Sequence, residues 1–372
     1  MPAHRILHVI ANLDRAGAPK QLGLLVRGLP RHEFESHVCA LAGGPQAAGL
    51  AEAGVPVTVV GQRWPLDPAV WWRLRRCVGR TRPEVLHTWG GAANAYGGLA
   101  TGAGKPPRIV SSQRCNPHCK SAVARALDRY ATRRSHAVVV NSAAVQEWCV
   151  RNGVPAEKIR TVPNGVATAS EPLVGRRQRL AELRIPANSR LVGLIGALLP
   201  SKRVKDAVWA ADLLKVVRDD VHLLVFGDGP QRERLVRYRD QVEIRDKVHF
   251  LGDRGDVGQW MPHLDLLWST SAWESHSNAI MEALACGVPV VATDIPGTRD
   301  LVVHETTGYL VKVGHRAGFA RWTNHLLDHP DLARQLGQAG RERMASEFRV
   351  ETMVDQYAEL YRELLSTSTP KA

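Results

Sequence analysis

The stretch that most constrains this chain runs from residue 264 to residue 294. The apolar run 264–268 reads as a buried strand that stops at Ser269 and Thr270. A polar loop carrying Glu274 follows, Asn278 reads as a helix N-cap, and 279–286 is built of good helix formers. Gly287 and Pro289 end that helix, and 288–292 begins the next strand. Strand, loop, helix and strand in this order make one unit of a parallel sheet. The opening N–H groups of such a helix offer a seat for phosphate. Two carboxylates frame it, Glu274 just before the helix and Glu282 in its second turn.

The same alternation extends along the chain. Strand-like runs at 5–10, 37–41, 55–60, 84–89, 109–114 and 137–140 are separated by helical segments. A second series follows at 191–195, 220–226, 248–252 and 307–311, around the central unit. The expected fold class is therefore α/β, and the length suits two doubly wound, Rossmann-like domains. We place the first domain at 1–170, a linker leading to a short helix at 171–187, the second domain at 188–348, and a closing helix and tail at 349–372. In that helix Met353, Tyr357, Leu360, Tyr361 and Leu364 recur at helical spacing, and 366–372 reads as frayed.

Composition narrows the function. The chain is 44% hydrophobic and 23% charged, an ordinary globular balance, and no apolar run reaches the ~18 residues of a membrane span. A strand starting at Arg5 leaves no room for a signal peptide, and six Cys are too few for a disulfide scaffold, so the expected location is the cytoplasm. Cys115, His118 and Cys119 lack the second pair that a zinc site needs. The net charge of +13 is uneven: residues 1–180 hold 25 Lys/Arg against 10 Asp/Glu, and the remainder 24 against 26. So basic a half suits an anionic surface or substrate. No nucleic-acid motif is present, which favours an anionic membrane surface over nucleic acid. In residues 64–82 Trp64, Trp71 and Trp72 sit among Arg73, Arg75, Arg76, Arg80 and Arg82, with Arg63 just before them. That composition fits a helix lying at a lipid interface, peripheral on the inner face of the membrane; it equally fits a surface helix packed by Trp and Leu74 with Arg outward.

Glu274, seven residues, Glu282, and then Ala283-Leu284-Ala285-Cys286-Gly287-Val288-Pro289-Val290-Val291-Ala292-Thr293-Asp294 resembles the signature of the retaining glycosyltransferases of family 4, the glycosyl transferases group 1 family. The resemblance spans essentially residues 5–365. It is strongest at 141–166 and 264–311 and thinnest at 11–20 and 84–90. It implies the GT-B fold, two Rossmann-like domains facing across a cleft with the C-terminal helix crossing back to the first. It implies a sugar moved with retention from a nucleotide sugar, UDP- or GDP-linked, to a hydroxyl of a sugar, polysaccharide or lipid-linked acceptor. The nucleotide sugar is a co-substrate, so no cofactor is expected, and the absence of an Asp-Xaa-Asp pair agrees with metal independence.

Roles follow from the resemblance position by position. Glu274, Lys202 and His87 fall at the reacting centre. Glu282 would hold the donor ribose, and Lys202, Ser277, Asn278, Ala279, Gly17 and Leu251 complete the donor contacts. Arg114 and Arg15 fall on the acceptor side. Three departures stand out. Only Gly17 remains of an adjacent glycine pair, the expected His-Xaa-His reads His87-Thr88-Trp89, and the Arg that should partner Lys202 on the diphosphate is Ala197. Arg203 or Lys205 could compensate for the last. These departures also motivate a rival reading, a degenerate nucleotide-sugar-binding or scaffold protein. A sugar-nucleotide epimerase of similar fold is the nearest enzyme rival, whereas a dehydrogenase would need a Gly-Xaa-Gly-Xaa-Xaa-Gly that the first strand lacks.

Overall fold

Short aliphatic runs bounded by glycine and polar turns become strands, those at the sheet centres buried on both faces and those at the edges partly exposed. The computed structural model describes residues 2–15, 17–64, 67–100, 106–114, 122–168 and 171–366, with 122–125 by backbone alone. Cys115, His118 and Cys119, and the tail beyond Ser366, lie outside the described residues.

The first sheet contains β1 (His4–Ile10), β2 (Phe34–Ala40), β3 (Val57–Val59), β4 (Val85–Trp89), β5 (Arg108–Gln113), β6 (Ala137–Val140) and β7 (Ile159–Thr161). Their order is β3-β2-β1-β4-β5-β6-β7, and every pairing is parallel. The second sheet contains β8 (Arg190–Ile195), β9 (Val221–Phe226), β10 (Val248–Gly252), β11 (Leu266–Ser269), β12 (Val290–Thr293) and β13 (Gly308–Val311). It is likewise parallel, in the order β10-β9-β8-β11-β12-β13. Each sheet reverses its winding once, between β1 and β4 and between β8 and β11. In doubly wound folds such a reversal opens a crevice at the carboxyl ends of the strands.

The chain divides into two compact units, 1–165 with 350–372, and 166–349. Residues 171–187, expected as linker and short helix, are tied into the second unit. Helix Arg176–Glu182 sends Arg176 to Asp265 at 2.6 Å and Arg179 to Asp256 at 3.1 Å. Helix Val350–Ser366 returns to the first unit, where its apolar stripe docks on β1 and on helix Ala18–Gly28. Met353, Tyr357 and Tyr361 are buried there, so the stripe visible in the sequence is core.

His8 of β1 lies in that core with no exposed surface. Its neighbours are His87, Trp89 and Tyr361, with ring centroids 5.6, 6.2 and 6.4 Å away. Its Nδ1 accepts from the Trp89 indole at 3.3 Å, and its Nε2 is buried without a hydrogen-bond partner. Burial, with His37 adding repulsion, lowers its pKa from 6.5 to about 3. The folded chain thus holds a neutral imidazole that the unfolded chain protonates below pH 6.5. The stability this represents is present above pH 6.5 and is lost as the pH falls toward 3. Denaturant unfolding between pH 7 and pH 4.5 should show a decline that is shallower in His8→Gln; an unchanged slope would contradict this account.

Two glycines give opposite expectations. A Cβ on Gly337, in helix Pro330–Glu347, would stand 2.0 Å from the Gly287 carbonyl oxygen, at the end of helix Asn278–Ala285. Gly337→Ala must push the two helices apart and should destabilise the second unit by about 1–3 kcal/mol. A Cβ on Gly79, in helix Pro68–Thr81, meets open space. Gly79→Ala should therefore stabilise the first unit by about 0.5–1 kcal/mol through helix propensity. Denaturation midpoints of the two variants measured side by side check both signs.

Candidate functional site

The crevice of the second sheet opens where β8 and β11 part, and the loops that leave these strands carry Lys202 and Glu274. Leu194 of β8 pairs in register with Trp268 of β11, so both loops start at the same level. The loop after β8 folds into a short 3-10 turn, Pro200–Lys202, whose carbonyls are taken by the neighbouring loop. Ala272 N–H donates to the Ser201 carbonyl and the Thr270 hydroxyl to the Lys202 carbonyl, both at 2.8 Å. Across this joint Lys202 Nζ forms an ion pair with Glu274 Oε1, and the Ser271 hydroxyl donates to the same oxygen at 2.7 Å. Thr293, at the end of β12, donates to the Ser271 carbonyl at 2.5 Å.

Glycines allow the neighbouring loops to close on this joint. A Cβ on Gly297 would stand 2.2 Å from the Glu274 carbonyl oxygen, and one on Gly227 would stand 2.1 Å from that of Gly196. Gly227, at φ 130°, needs glycine for its conformation as well as for space. Gly227 N–H donates to the Gly252 carbonyl at 2.7 Å, and Leu198 N–H to the Asp228 carbonyl at 2.9 Å. The loops after β8, β9 and β10 are thereby stitched together, with Leu251 half-buried in β10. Arg232 donates to the Phe250 carbonyl at 3.3 Å beside it.

Helix Asn278–Ala285 follows Glu274. Ser277, not Asn278, is its N-cap, and its hydroxyl makes no capping bond; the helix begins and ends one residue earlier than expected. Its first-turn N–H groups have no acceptor within the helix. Ser277 is buried, Asn278 and Ala279 are half-buried, and Glu282 is half-buried in the second turn. Lys202, Glu274, Ser277, Asn278, Ala279 and Glu282 are thus brought to one end of the second sheet. Ala197 has no evident stand-in among the two basic residues considered above. Arg203 pairs with Asp206 at 2.6 Å, which Arg316 also holds at 2.7 Å, and Lys205 lies 4.3 Å above the Tyr238 ring.

The first unit carries the other predicted residues. Gly17, at φ 68°, precedes helix Ala18–Gly28 in the loop after β1, and Arg15 is exposed in the same loop. His87 is fully buried in β4, with Nδ1 at 2.7 Å from the Tyr361 hydroxyl and Nε2 at 2.9 Å from the Ser112 hydroxyl. Burial, with His8 and Arg114 nearby, holds it well below the usual imidazole range, so it is neutral. Arg114 donates to the Tyr357 hydroxyl and to Asn164 Oδ1, each at 2.6 Å, and lies 4.6 Å above the Trp89 ring. Tyr357, Tyr361 and Asn164 were not anticipated as site residues. Their partners lie 50 to 274 positions away in the chain, and only the two Tyr in an otherwise aliphatic stripe hinted at a polar task.

Two family models match the chain. Glycosyltransferase Family 4 covers residues 16–170, and Glycosyl transferases group 1 covers residues 176–343. The N-acetyl-alpha-D-glucosaminyl L-malate synthase of Bacillus anthracis is 32% identical over 212 residues, 57% of this chain and 55% of that protein. The chain therefore spans about half the length of that curated relative. The lipopolysaccharide core biosynthesis glycosyltransferase LpsE of Rhizobium meliloti is 26% identical over 77% of this chain and 78% of its own. Among solved structures, the Anabaena protein HepE in complex with UDP and glucose superposes with a TM-score of 0.87 at 22% identity, covering 97% of this chain and 100% of that one. That likeness shows the fold, two Rossmann-like domains of the GT-B kind. With both family models matched in sequence along one chain, this protein belongs to the glycosyl transferases group 1 family.

Proposed function

We propose that this protein is a metal-independent, retaining glycosyltransferase that moves a sugar from a nucleoside diphosphate sugar to a hydroxyl of an envelope glycan or lipid-linked acceptor. The observation that carries this reading is the Lys202–Glu274 ion pair, at the carboxyl ends of β8 and β11 and just ahead of a helix N-terminus. In the step, the acceptor oxygen bonds to the anomeric carbon, the bond from that carbon to the diphosphate breaks, and the hydroxyl proton passes to a diphosphate oxygen. Negative charge grows on the leaving diphosphate. Lys202 and the first-turn N–H groups near Asn278 and Ala279 meet it with fixed positive charge and dipoles. Glu282 binds the donor ribose, and the stitched backbone around Leu251 receives the base. Arg114, aimed by Tyr357 and Asn164, and Arg15 serve the acceptor. His87 acts in the first unit as a neutral, buried group that orients its neighbours. HepE was solved with UDP and glucose, which favours a UDP-sugar as donor. The name of LpsE favours an envelope glycan as product.

The test is a panel of UDP-, GDP- and ADP-sugars in EDTA, scored for binding and for nucleotide release with candidate acceptors. Release from one donor is expected. Glu282→Ala should weaken donor binding about tenfold, a loss near 1.4 kcal/mol. Lys202→Ala should lower kcat/KM by about 10²–10³. Binding without release from any donor would instead favour a degenerate sugar-nucleotide-binding protein, the reading that Ala197 supports. Dependence on added divalent ion would overturn the metal-independent step.

We place the protein at the cytoplasmic membrane surface through residues 64–82. Helix Pro68–Thr81 buries Val70 and Leu74 while Trp72 is 57% exposed, and Trp64 just before it is 55% exposed. Arg75 and Arg76 are exposed beside them, Arg76 lying 5.6 Å from the Trp72 ring. Arg73 serves structure instead, donating to the Val60 carbonyl at 2.8 Å. Among the described residues no helix is long and apolar enough to cross a membrane, so the contact proposed is peripheral. Sedimentation with anionic vesicles should fall severalfold in the Trp72→Ser, Arg75→Ser, Arg76→Ser triple variant; unchanged binding would remove this surface from the assignment.

A further inference from the structure

Cys39 and Cys77 come together in the first unit from elements that no motif links. Cys39 in β2 pairs in register with Thr58 in β3, so both side chains leave the sheet on the same face. Helix Pro68–Thr81 covers that face. Its residues Val70, Leu74, Cys77 and Thr81 recur at intervals of three and four and form one stripe. Val70 and Leu74 are buried in a core shared with Leu7, Val9 and Cys39, and Cys77 packs at its margin. Each thiol shifts the ionisation of the other, and the hydroxyls of Thr81 and Thr58 act on the Cys77 thiol. Neither cysteine is in a disulfide.

The pair is asymmetric in exposure and in charge. Cys39 has no exposed surface, whereas Cys77 is half-buried and can be reached. Cys39 lowers the Cys77 thiol to about 7, with the Thr81 and Thr58 hydroxyls and the Arg80 charge acting in the same direction against burial. The Cys39 thiol is pushed up by Cys77 and by burial. A reachable sulfur that ionises near neutrality, packed against the same core as a protonated one, is the arrangement that redox-active cysteine pairs need.

We propose that Cys77 and Cys39 form a peroxide-reactive thiol pair, with Cys77 as the attacking sulfur and Cys39 as the resolving one. The Cys77 thiolate attacks one oxygen of hydrogen peroxide, the O–O bond breaks, and hydroxide leaves as water after taking a proton. The resulting sulfenic acid is attacked by the Cys39 sulfur; the S–O bond breaks, a second water leaves with the Cys39 proton, and the disulfide forms. Two thiols lose two electrons and two protons, and one peroxide becomes two waters. The product ties β2 to the helix whose outer face presents Trp72, Arg75 and Arg76.

The experiment uses the full-length protein. Its alkylation by iodoacetamide is followed against pH by peptide mass spectrometry, before and after exposure to hydrogen peroxide. The Cys77 peptide should reach half-maximal rate near pH 7, and Thr58→Val with Thr81→Val should move that midpoint toward the ordinary value of about 8.5. Peroxide should yield a Cys39–Cys77 linked peptide that dithiothreitol reverses. In Cys39→Ser the sulfenic acid should persist and be trapped by dimedone at residue 77. Cys77→Ser should abolish the link while leaving glycosyl transfer intact, since neither residue belongs to the donor or acceptor machinery. A midpoint near 8.5 with no linked peptide, or a link from Cys77 to another cysteine, overturns the proposal.

Discussion

The function proposed for the second unit depends on one contact, the ion pair between Lys202 and Glu274. Each partner arrives on a loop from a different strand, and β8 and β11 are adjacent only because the sheet reverses its winding between them. The loops are locked before the side chains meet. Backbone and hydroxyl bonds from Ala272 and Thr270 hold the turn that ends in Lys202, and Thr293 holds Ser271, which in turn donates to Glu274. Two donors, the Lys202 ammonium and the Ser271 hydroxyl, hold Glu274 Oε1 in place. A half-buried charge pair of this kind adds little net stability, because desolvation offsets attraction. In the proposed reaction its value is preorganisation: the positive charge is already placed, and no rearrangement is needed when negative charge develops.

The first unit solves a similar problem with neutral groups. The C-terminal helix Val350–Ser366 brings two Tyr hydroxyls into the core, one to Arg114 and one to His87. Four residues separate Tyr357 from Tyr361, so both lie on the buried face of that helix and reach neighbouring strands. The Trp89 ring completes the set, tilted against His87 with centroids 4.6 Å apart and lying beneath Arg114. The guanidinium thereby gains two acceptors and an aromatic face at once, which offsets its partial burial and fixes its direction. A helix encoded at the far end of the chain is thus part of the acceptor-side geometry proposed for the first unit.

Much of this was legible in the sequence because parallel sheets write themselves in short aliphatic runs. The strands around Glu274 and Glu282, the phosphate-suited helix between them and the stripe of the final helix all follow from local spacing. Long-range partnership was not legible. The composition of 84–90 shows a His at a strand end beside glycines and suggests a ligand contact; it cannot show that residues 357 and 361 will bury it. Boundaries slipped for a local reason. Asn278 is a good N-cap by type, but the helix starts one residue sooner because Ser277 takes the extended backbone that a cap needs. Arg73 likewise looked like its neighbours Arg75 and Arg76 in sequence, and only the fold shows that it serves the Val60 and Gly61 carbonyls.

Two of the three departures from the family pattern, Trp89 and Ala197, therefore differ in physical meaning. Trp89 replaces a polar side chain with a large apolar one, and the fold accommodates it fully: the ring is buried, its indole N–H donates to His8, and its face carries Arg114. The substitution is built into a core that would hold a cavity without it. Ala197 replaces a long cation with a methyl group, and nothing comparable surrounds it. Arg203 is turned to Asp206 by its own left-handed backbone at φ 50°, and Lys205 lies over Tyr238 on the next helix. In the proposed reaction, charge stabilisation at this end of the sheet consequently concentrates on Lys202 and on the helix N-terminus. With one cation in place of two, an error in its position has no neighbour to correct it.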